Sequence, residues 1–150
     1  MSSPRALVIG LDCAAPALVF ERYRDAMPHV SALMARGTWG PLRSSAPPIT
    51  VPAWTCMVSG RDAGELGLDG FRNRVPGTTG LRLARGEDVR VKRVWDWLGE
   101  HGHGVASLFV PLTSPPRPVR GQMVSGFMHP GGDAPWCFPP SLEAELAQRF

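Results

Sequence analysis

The sequence lacks the features of a disulfide scaffold, a structural zinc site and a membrane span. It has three cysteines, an odd number, and no two of them form a Cys-x-x-Cys pair. No apolar run approaches the ~20 residues that a membrane-spanning helix needs. The first apolar stretch is interrupted at Asp12, which makes it a poor signal peptide. A cytoplasmic protein with no membrane partner is therefore expected.

Lysine is nearly absent, and the charge balance gives no sign of nucleic-acid binding. Lys92 is the only lysine, and the chain has 16 basic and 13 acidic side chains. No cluster of basic residues is interleaved with aromatic ones, as a nucleic-acid interface would require. No nucleic-acid partner is therefore expected, and the oligomeric state stays open.

What is present fits one α/β domain. The chain has 150 residues, of which 43% are hydrophobic, so it can bury a core. Short apolar runs predict buried strands at 5–11, 105–110 and 122–127, with another short strand at 39–44. Helical periodicity predicts four helices, at 16–36, 51–59, 91–101 and 139–150. The β-α-β order implies a parallel or mixed sheet with helices on both faces.

Local signals refine these helices. Pro28 should kink the first helix or break it in two, and Gly37 should end it. Pro52 lies in the first turn of the second helix, where a missing N–H costs least. Val94, Trp95 and Leu98 give the third helix an apolar face. The fourth begins with Ser141 as the expected N-cap. Residues 60–87 and 111–121 are predicted to be loops, the former with short strands.

Two polar residues stand at positions suited to catalysis. Asp12 follows the apolar run 5–11 and would lie at the carboxyl end of a strand, where α/β sheets bind ligands. Thr50 precedes the helix at 51–59, whose N-terminus would favour an anionic phosphoryl group. Taken alone, a threonine near a proline is usually a turn residue, and an Asp after a strand is usually a cap. Together they suit a metal-assisted nucleophilic site, with both side chains close together at one sheet edge.

Three segments resemble the alkaline phosphatase superfamily, and within it the type I phosphodiesterase/nucleotide pyrophosphatase family. They are VIGLDCAAP, GPLRSSAPPITVPAWTCMVSGRDAGELGLDGFRNR and RVWDWLGEHGHGVASLFVPLTSPPRPVRGQMVSGF. The resemblance implies a mostly parallel sheet flanked by helices on both faces. It also implies that residues 1–150 form the N-terminal part of a single catalytic domain, with further metal ligands expected beyond residue 150.

The resemblance assigns roles to three residues. Thr50 is the implied nucleophile and also touches a metal ion, Asp12 is an implied metal ligand, and Asn73 is an implied substrate-binding residue. Two divalent ions are implied, with zinc expected and manganese as the alternative. The implied reaction is hydrolysis of a phosphodiester or related phospho-ester through a phospho-threonine intermediate.

Other functions stay open at this point. A phosphomonoesterase or phosphonate hydrolase of the same superfamily would use a similar site. A sulfatase is disfavoured because the Cys/Ser-x-Pro-x-Arg pattern is missing. A non-catalytic binding module or fragment would explain why few metal ligands are visible. Among the histidines, His101 and His103 are expected at the surface, whereas His129 could line the cleft.

Overall fold

The structure, a computed structural model, describes residues 5–149. The chain divides into two compact units, Met1–Arg43 and Ser44–Phe150. Among the helices within the described range, none combines the length and the apolar character needed to cross a membrane.

The first unit is helical. A π-helical segment, Ala17–Arg22, is followed by helix α1, Pro28–Arg36. The predicted break at Pro28 is confirmed, and Pro28 occupies the first turn of α1 because a proline there removes only an N–H that has no intrahelical partner. The ring of Phe20 lies 4.9 Å from that of Trp39, centroid to centroid.

The strand predicted at 5–11 is wrong, and so is the one at 39–44. Neither segment has regular structure, and Leu7, Val8 and Ile9 are 84%, 80% and 73% exposed. A strand exists only where a neighbouring strand supplies partners for its N–H and C=O groups. Apolar composition predicted burial here, but both segments lie outside the two sheets.

The second unit contains every described strand and four further helices. Its helices are α2 (Thr50–Ser59), α3 (Ala63–Leu66), α4 (Val94–Glu100) and α5 (Pro140–Ala147). Its strands are β1 (Arg72–Arg74), β2 (Leu81–Leu83), β3 (Val105–Val110), β4 (Gly121–Ser125) and β5 (Cys137–Phe138). A short 3-10 turn, Gly86–Asp88, precedes α4.

The sheets are small and mixed. Strands β1 and β2 form an antiparallel hairpin, and a second sheet has the order β3-β4-β5. In that sheet β3 and β4 are parallel, whereas β4 and β5 are antiparallel. The α/β class is therefore confirmed, but a mostly parallel sheet is not what the residues from 5 to 149 form. Strand β5 and helix α3 escaped the sequence analysis because two and four residues are too few to show a period.

Several boundaries also differ from the predictions. Helix α4 begins at Val94 and not at residue 91, because the Asp96 carboxylate accepts the backbone N–H of Arg93 at 2.8 Å and caps the helix there. Ser141 is not the N-cap of α5, since Pro139 holds that place and Pro140 opens the helix. Phe150, the last residue of the helix predicted there, lies outside the described residues.

Strand β3 is confirmed in place but not as a buried strand. It lies at the edge of its sheet, and only Ser107 among its residues is fully buried. Two apolar clusters form the core of this unit instead. The first joins α2 to the loops around it, and its buried members are Val51, Leu68, Ala84, Val89 and Leu112. The second joins β4 and β5 to α5, and its buried members are Val124, Cys137 and Leu142.

A buried threonine joins the carboxyl ends of β3 and β4. Thr113 is 1% exposed. Its Oγ1 donates to the carbonyl of Val110 at 2.6 Å and accepts the N–H of Gly126 at 2.9 Å. Ser125 Oγ donates to the Thr113 carbonyl at 3.3 Å. Buried backbone groups need hydrogen-bond partners, and Thr113 supplies them where β3 and β4 end and the loops begin.

We expect Thr113→Val to lower the free energy of unfolding by about 1–3 kcal/mol, because it leaves the buried N–H of Gly126 without its partner and also removes a hydrogen bond from the part-buried carbonyl of Val110. Urea unfolding followed by circular dichroism measures this. Thr78→Val is the matched control, since Thr78 Oγ1 donates to Val75 at 3.0 Å and accepts from Gly80 at 3.1 Å on an exposed turn. Water replaces those bonds, so equal losses in the two variants would contradict the role of burial.

Candidate active site at the start of helix α2

Thr50 is the first residue of α2 and is half-buried. Ile49 before it is extended, and its carbonyl accepts the N–H of Ala53 at 2.9 Å, which closes the first helical turn. The N–H groups of a first turn have no partner within the helix and carry the positive end of its dipole. The predicted helix at 51–59 is thus confirmed and begins one residue earlier, so Thr50 lies at the end of the helix that favours anions.

Side-chain hydroxyls reinforce the rest of α2. Thr55 Oγ1 donates to the carbonyl of Val51 at 2.7 Å, and Ser59 Oγ donates to that of Thr55 at 2.6 Å. The helix ends at Gly60, which has a φ of 68° and whose N–H donates to the carbonyl of Cys56 at 2.8 Å. Glycine adopts this left-handed conformation without a steric cost.

Burial of Val51 fixes the backbone next to Thr50. Val51 is 0% exposed and packs with Leu68, Ala84, Val89 and Leu112. Each of these partners follows a different helix, strand or turn, so the start of α2 is held from several sides. Close packing of this kind restricts movement of the backbone at Thr50.

Asn73 shapes the turn beside this site. Its Oδ1 accepts the N–H of Asp69 at 2.7 Å, and its Nδ2 donates to the carbonyl of Gly70 at 3.1 Å. Gly70 in turn passes close to Ile49, since a Cβ on it would lie 3.7 Å from Ile49 Cδ1. The amide is thus engaged with the backbone of its own turn, and its role in substrate binding stays a prediction.

Asp12 belongs to the first unit and Thr50 to the second. Asp12 is exposed and lies in a turn with Cys13, not at the end of a strand. The N–H of Ala15 donates to the carbonyl of Cys13 at 2.9 Å, which helps to define this turn. Its expected role as a metal ligand, and its expected proximity to Thr50, stay predictions.

The described residues do not by themselves complete a metal site. Between residues 5 and 149, no three His, Cys, Asp or Glu side chains are grouped so that they could hold a metal ion. His129 is engaged with its own loop: its Nδ1 accepts the N–H of Gly131 at 3.0 Å, and its Nε2 lies 2.9 Å from the carbonyl of Ala134. His101 Nδ1 lies 2.8 Å from the carbonyl of Trp97 at the end of α4.

The cysteines near the cores are not poised to act as nucleophiles. Burial and the negative charge of Asp62 raise the pKa of the Cys56 thiol, although a hydrogen bond with Ser45 lowers it. Burial and the charge of Glu143 raise the pKa of the Cys137 thiol. A thiol with a raised pKa is protonated at neutral pH and attacks poorly.

A buried arginine, which sequence analysis missed, holds the loop before α4. Arg93 is 2% exposed, and its Nη2 donates to the carbonyl of Gly86 at 2.7 Å. Burial, and then the positive charge of Arg117, lower the pKa of the Arg93 guanidinium to about 10. The N–H of Gly86 donates to the carbonyl of Ser114 at 2.8 Å, and a Cβ there would lie only 2.8 Å from the same oxygen. No sequence signal marks this cluster, because its contacts join irregular segments that show no periodic pattern.

The comparison with protein families decides the family. The family model for type I phosphodiesterase/nucleotide pyrophosphatase matches residues 6–148. The chain belongs to this family. The resemblance noted in the sequence is thereby confirmed, and the family is one of hydrolases. Comparison with curated proteins and with solved structures gives no match.

We expect the 150-residue chain of this phosphodiesterase-family protein to bind zinc weakly and without a fixed stoichiometry. Zinc sites in proteins use three or four protein ligands, and residues 5–149 group no such set. Isothermal titration with zinc measures this, with calcium as a control for nonspecific binding. Tight binding of one or two ions would contradict this expectation and would indicate that His101, His103 or His129 acts as a ligand.

A carboxylate fixes the hairpin next to α2, and its contribution should depend on pH. Burial by itself raises the pKa of Asp88, but hydrogen bonds from the Arg82 guanidinium and the Arg85 N–H, together with both arginine charges, lower it overall. The Oδ2 of Asp88 lies 3.0 Å from Arg82 Nη1 and 2.8 Å from the Arg85 nitrogen. The folded state therefore favours the ionised carboxylate.

We expect Asp88→Asn to lower the free energy of unfolding by about 1 kcal/mol at neutral pH. A lowered pKa stabilises the fold above the unfolded-state value near pH 4, and this contribution is lost as the pH falls through the folded-state value. The difference between wild type and variant should therefore shrink below about pH 4. Urea unfolding at neutral and acidic pH measures it, and a difference that is constant with pH would refute the assignment.

Proposed function

We propose that this protein hydrolyses phosphodiester or related phospho-ester bonds with Thr50 as the nucleophile. One observation carries the proposal: within a chain of this hydrolase family, Thr50 opens α2 at the helix end that favours anions. A small phosphorylated compound is the proposed substrate. The single family match over residues 6–148 supports assigning both compact units to one catalytic domain.

The proposed reaction has two steps. The Oγ of Thr50 forms a bond to phosphorus and gives up its proton, while the ester oxygen leaves with the bonding electrons and takes up a proton. Water then attacks the phospho-threonine, which releases the phosphate product and restores the hydroxyl. In both steps the start of α2 would stabilise negative charge on the phosphoryl oxygens, because its dipole and N–H groups are fixed before the reaction begins.

We also propose that hydrolysis depends on divalent ions, with zinc expected and manganese as the alternative. Asp12 and Thr50 are the proposed ligands, since both offer the oxygen donors such ions accept. Within residues 5–149, no three His, Cys, Asp or Glu side chains are grouped to hold an ion, so the proposed site needs further ligands. A phosphomonoesterase or phosphonate hydrolase would use the same nucleophile, and a panel of aryl phosphodiester, phosphomonoester and phosphonate substrates separates the three activities.

We expect Thr50→Val, in the protein expressed from its complete reading frame, to lower kcat/KM for an aryl phosphodiester by on the order of 10³-fold or more, because removal of a nucleophile abolishes the chemical step. Thr50→Ser should retain much of the activity. Thr55→Val is the matched control, since it removes a hydroxyl five positions along α2 that donates within the helix. Turnover by Thr50→Val within a few-fold of wild type would remove Thr50 from its role.

A further inference from the structure

The hairpin of β1 and β2 has one face that combines positive charge with apolar side chains. Arg72 is paired opposite Leu83, and Arg74 opposite Leu81. Residues directly opposite each other in an antiparallel pair point to the same side, and alternate residues share a face. These four side chains therefore form one surface, the hairpin face, while Asn73 and Arg82 point to the other side.

All four side chains of the hairpin face are exposed to solvent. Leu81 and Leu83 are 60% and 56% exposed, although leucine is a residue that folding normally buries. Arg72 and Arg74 are exposed as well, and neither forms an ion pair with an acidic residue of the described chain. Residues 71–85 contain four arginines and no acid, and only Arg82 among these arginines is paired with an acidic residue of the described chain, so the hairpin carries a net positive charge.

The opposite side of the hairpin is anchored. Arg82 pairs with Asp88 through both of its terminal nitrogens, and the Asn73 amide holds the preceding turn. Ala84, directly after β2, is buried in the cluster that contains Val51. The hairpin face is thus held outward by a fixed base, with its arginines and leucines presented together.

We propose that the hairpin face binds the surface of a bilayer that contains anionic lipids. Arginines at such a surface contact the lipid phosphates, and leucines beside them enter the boundary between headgroups and acyl chains. The charge of the hairpin complements this surface, and the two leucines supply the apolar contact that a purely polyanionic partner would not use. The expectation of no membrane partner rested on the lack of a spanning segment, and surface binding needs none.

The proposal is tested by co-sedimentation of the full chain with vesicles of mixed phosphatidylglycerol and phosphatidylcholine, with pure phosphatidylcholine vesicles for comparison. We expect binding to the anionic vesicles only, weakened by salt. Arg72→Ala/Arg74→Ala should reduce the affinity by about 25-fold, since each arginine near such a surface contributes roughly a five-fold factor. Arg72→Lys/Arg74→Lys should retain binding, which separates loss of charge from loss of fold.

Two further double variants decide which partner the face fits. Arg90→Ala/Arg120→Ala removes the same charge from exposed positions outside the hairpin and should leave the affinity unchanged. Leu81→Ser/Leu83→Ser should weaken vesicle binding although the charge is intact. Equal losses in the two arginine-to-alanine variants, or no binding by wild type, would overturn the proposal. An unchanged Leu81→Ser/Leu83→Ser variant, together with binding to a single-stranded oligonucleotide, would identify a nucleic acid as the partner and overturn it as well.

Discussion

The burial of Val51 is the constraint on which the candidate site depends. Val51 is fully buried between segments that are distant in sequence, and Thr50 is attached directly to it. A helix end on the protein surface would fray, because its first N–H groups lack partners. Here packing of the second residue holds the first turn in place, so the backbone at Thr50 keeps a fixed position relative to the helix dipole. The chemistry proposed for Thr50 requires that relation before substrate arrives.

Hydrogen bonds hold the loops around this apolar cluster. Arg93 binds the Gly86 carbonyl, and Gly86 in turn donates to Ser114, so the segment before α4 is joined to the loop after β3. Thr113 closes the same loop onto Gly126. An unpaired buried backbone group raises the free energy of the fold. Loop arrangements that break these hydrogen bonds are therefore disfavoured, which apolar packing alone would not achieve.

Local signals in the sequence predicted the elements that depend on local interactions. The break at Pro28, the start of α2 and the strand at 105–110 follow from proline chemistry and short apolar runs. The strand expected at 5–11 fails because pairing depends on a neighbour that composition cannot specify. Arg93 and Thr113 were missed for a related reason, since their partners are identified only by the folded chain. The role proposed for Thr50 follows neither from local sequence signals nor from the fold. A single threonine before a helix is uninformative until the whole segment matches a family.

The hairpin and the candidate nucleophile are both attached to the buried cluster around Val51. This decides which substitutions can test the two proposals separately. Ala84 at the base of the hairpin and Val51 at the start of α2 belong to the same buried cluster. A change at Ala84 or Leu68 would disturb the hairpin and the position of Thr50 together, so its effects on surface binding and on hydrolysis could not be separated. Side chains of the hairpin face project away from that cluster and are exposed. Substitutions there alter the surface while the packing around Val51 stays intact, and distant, independent sites contribute additively.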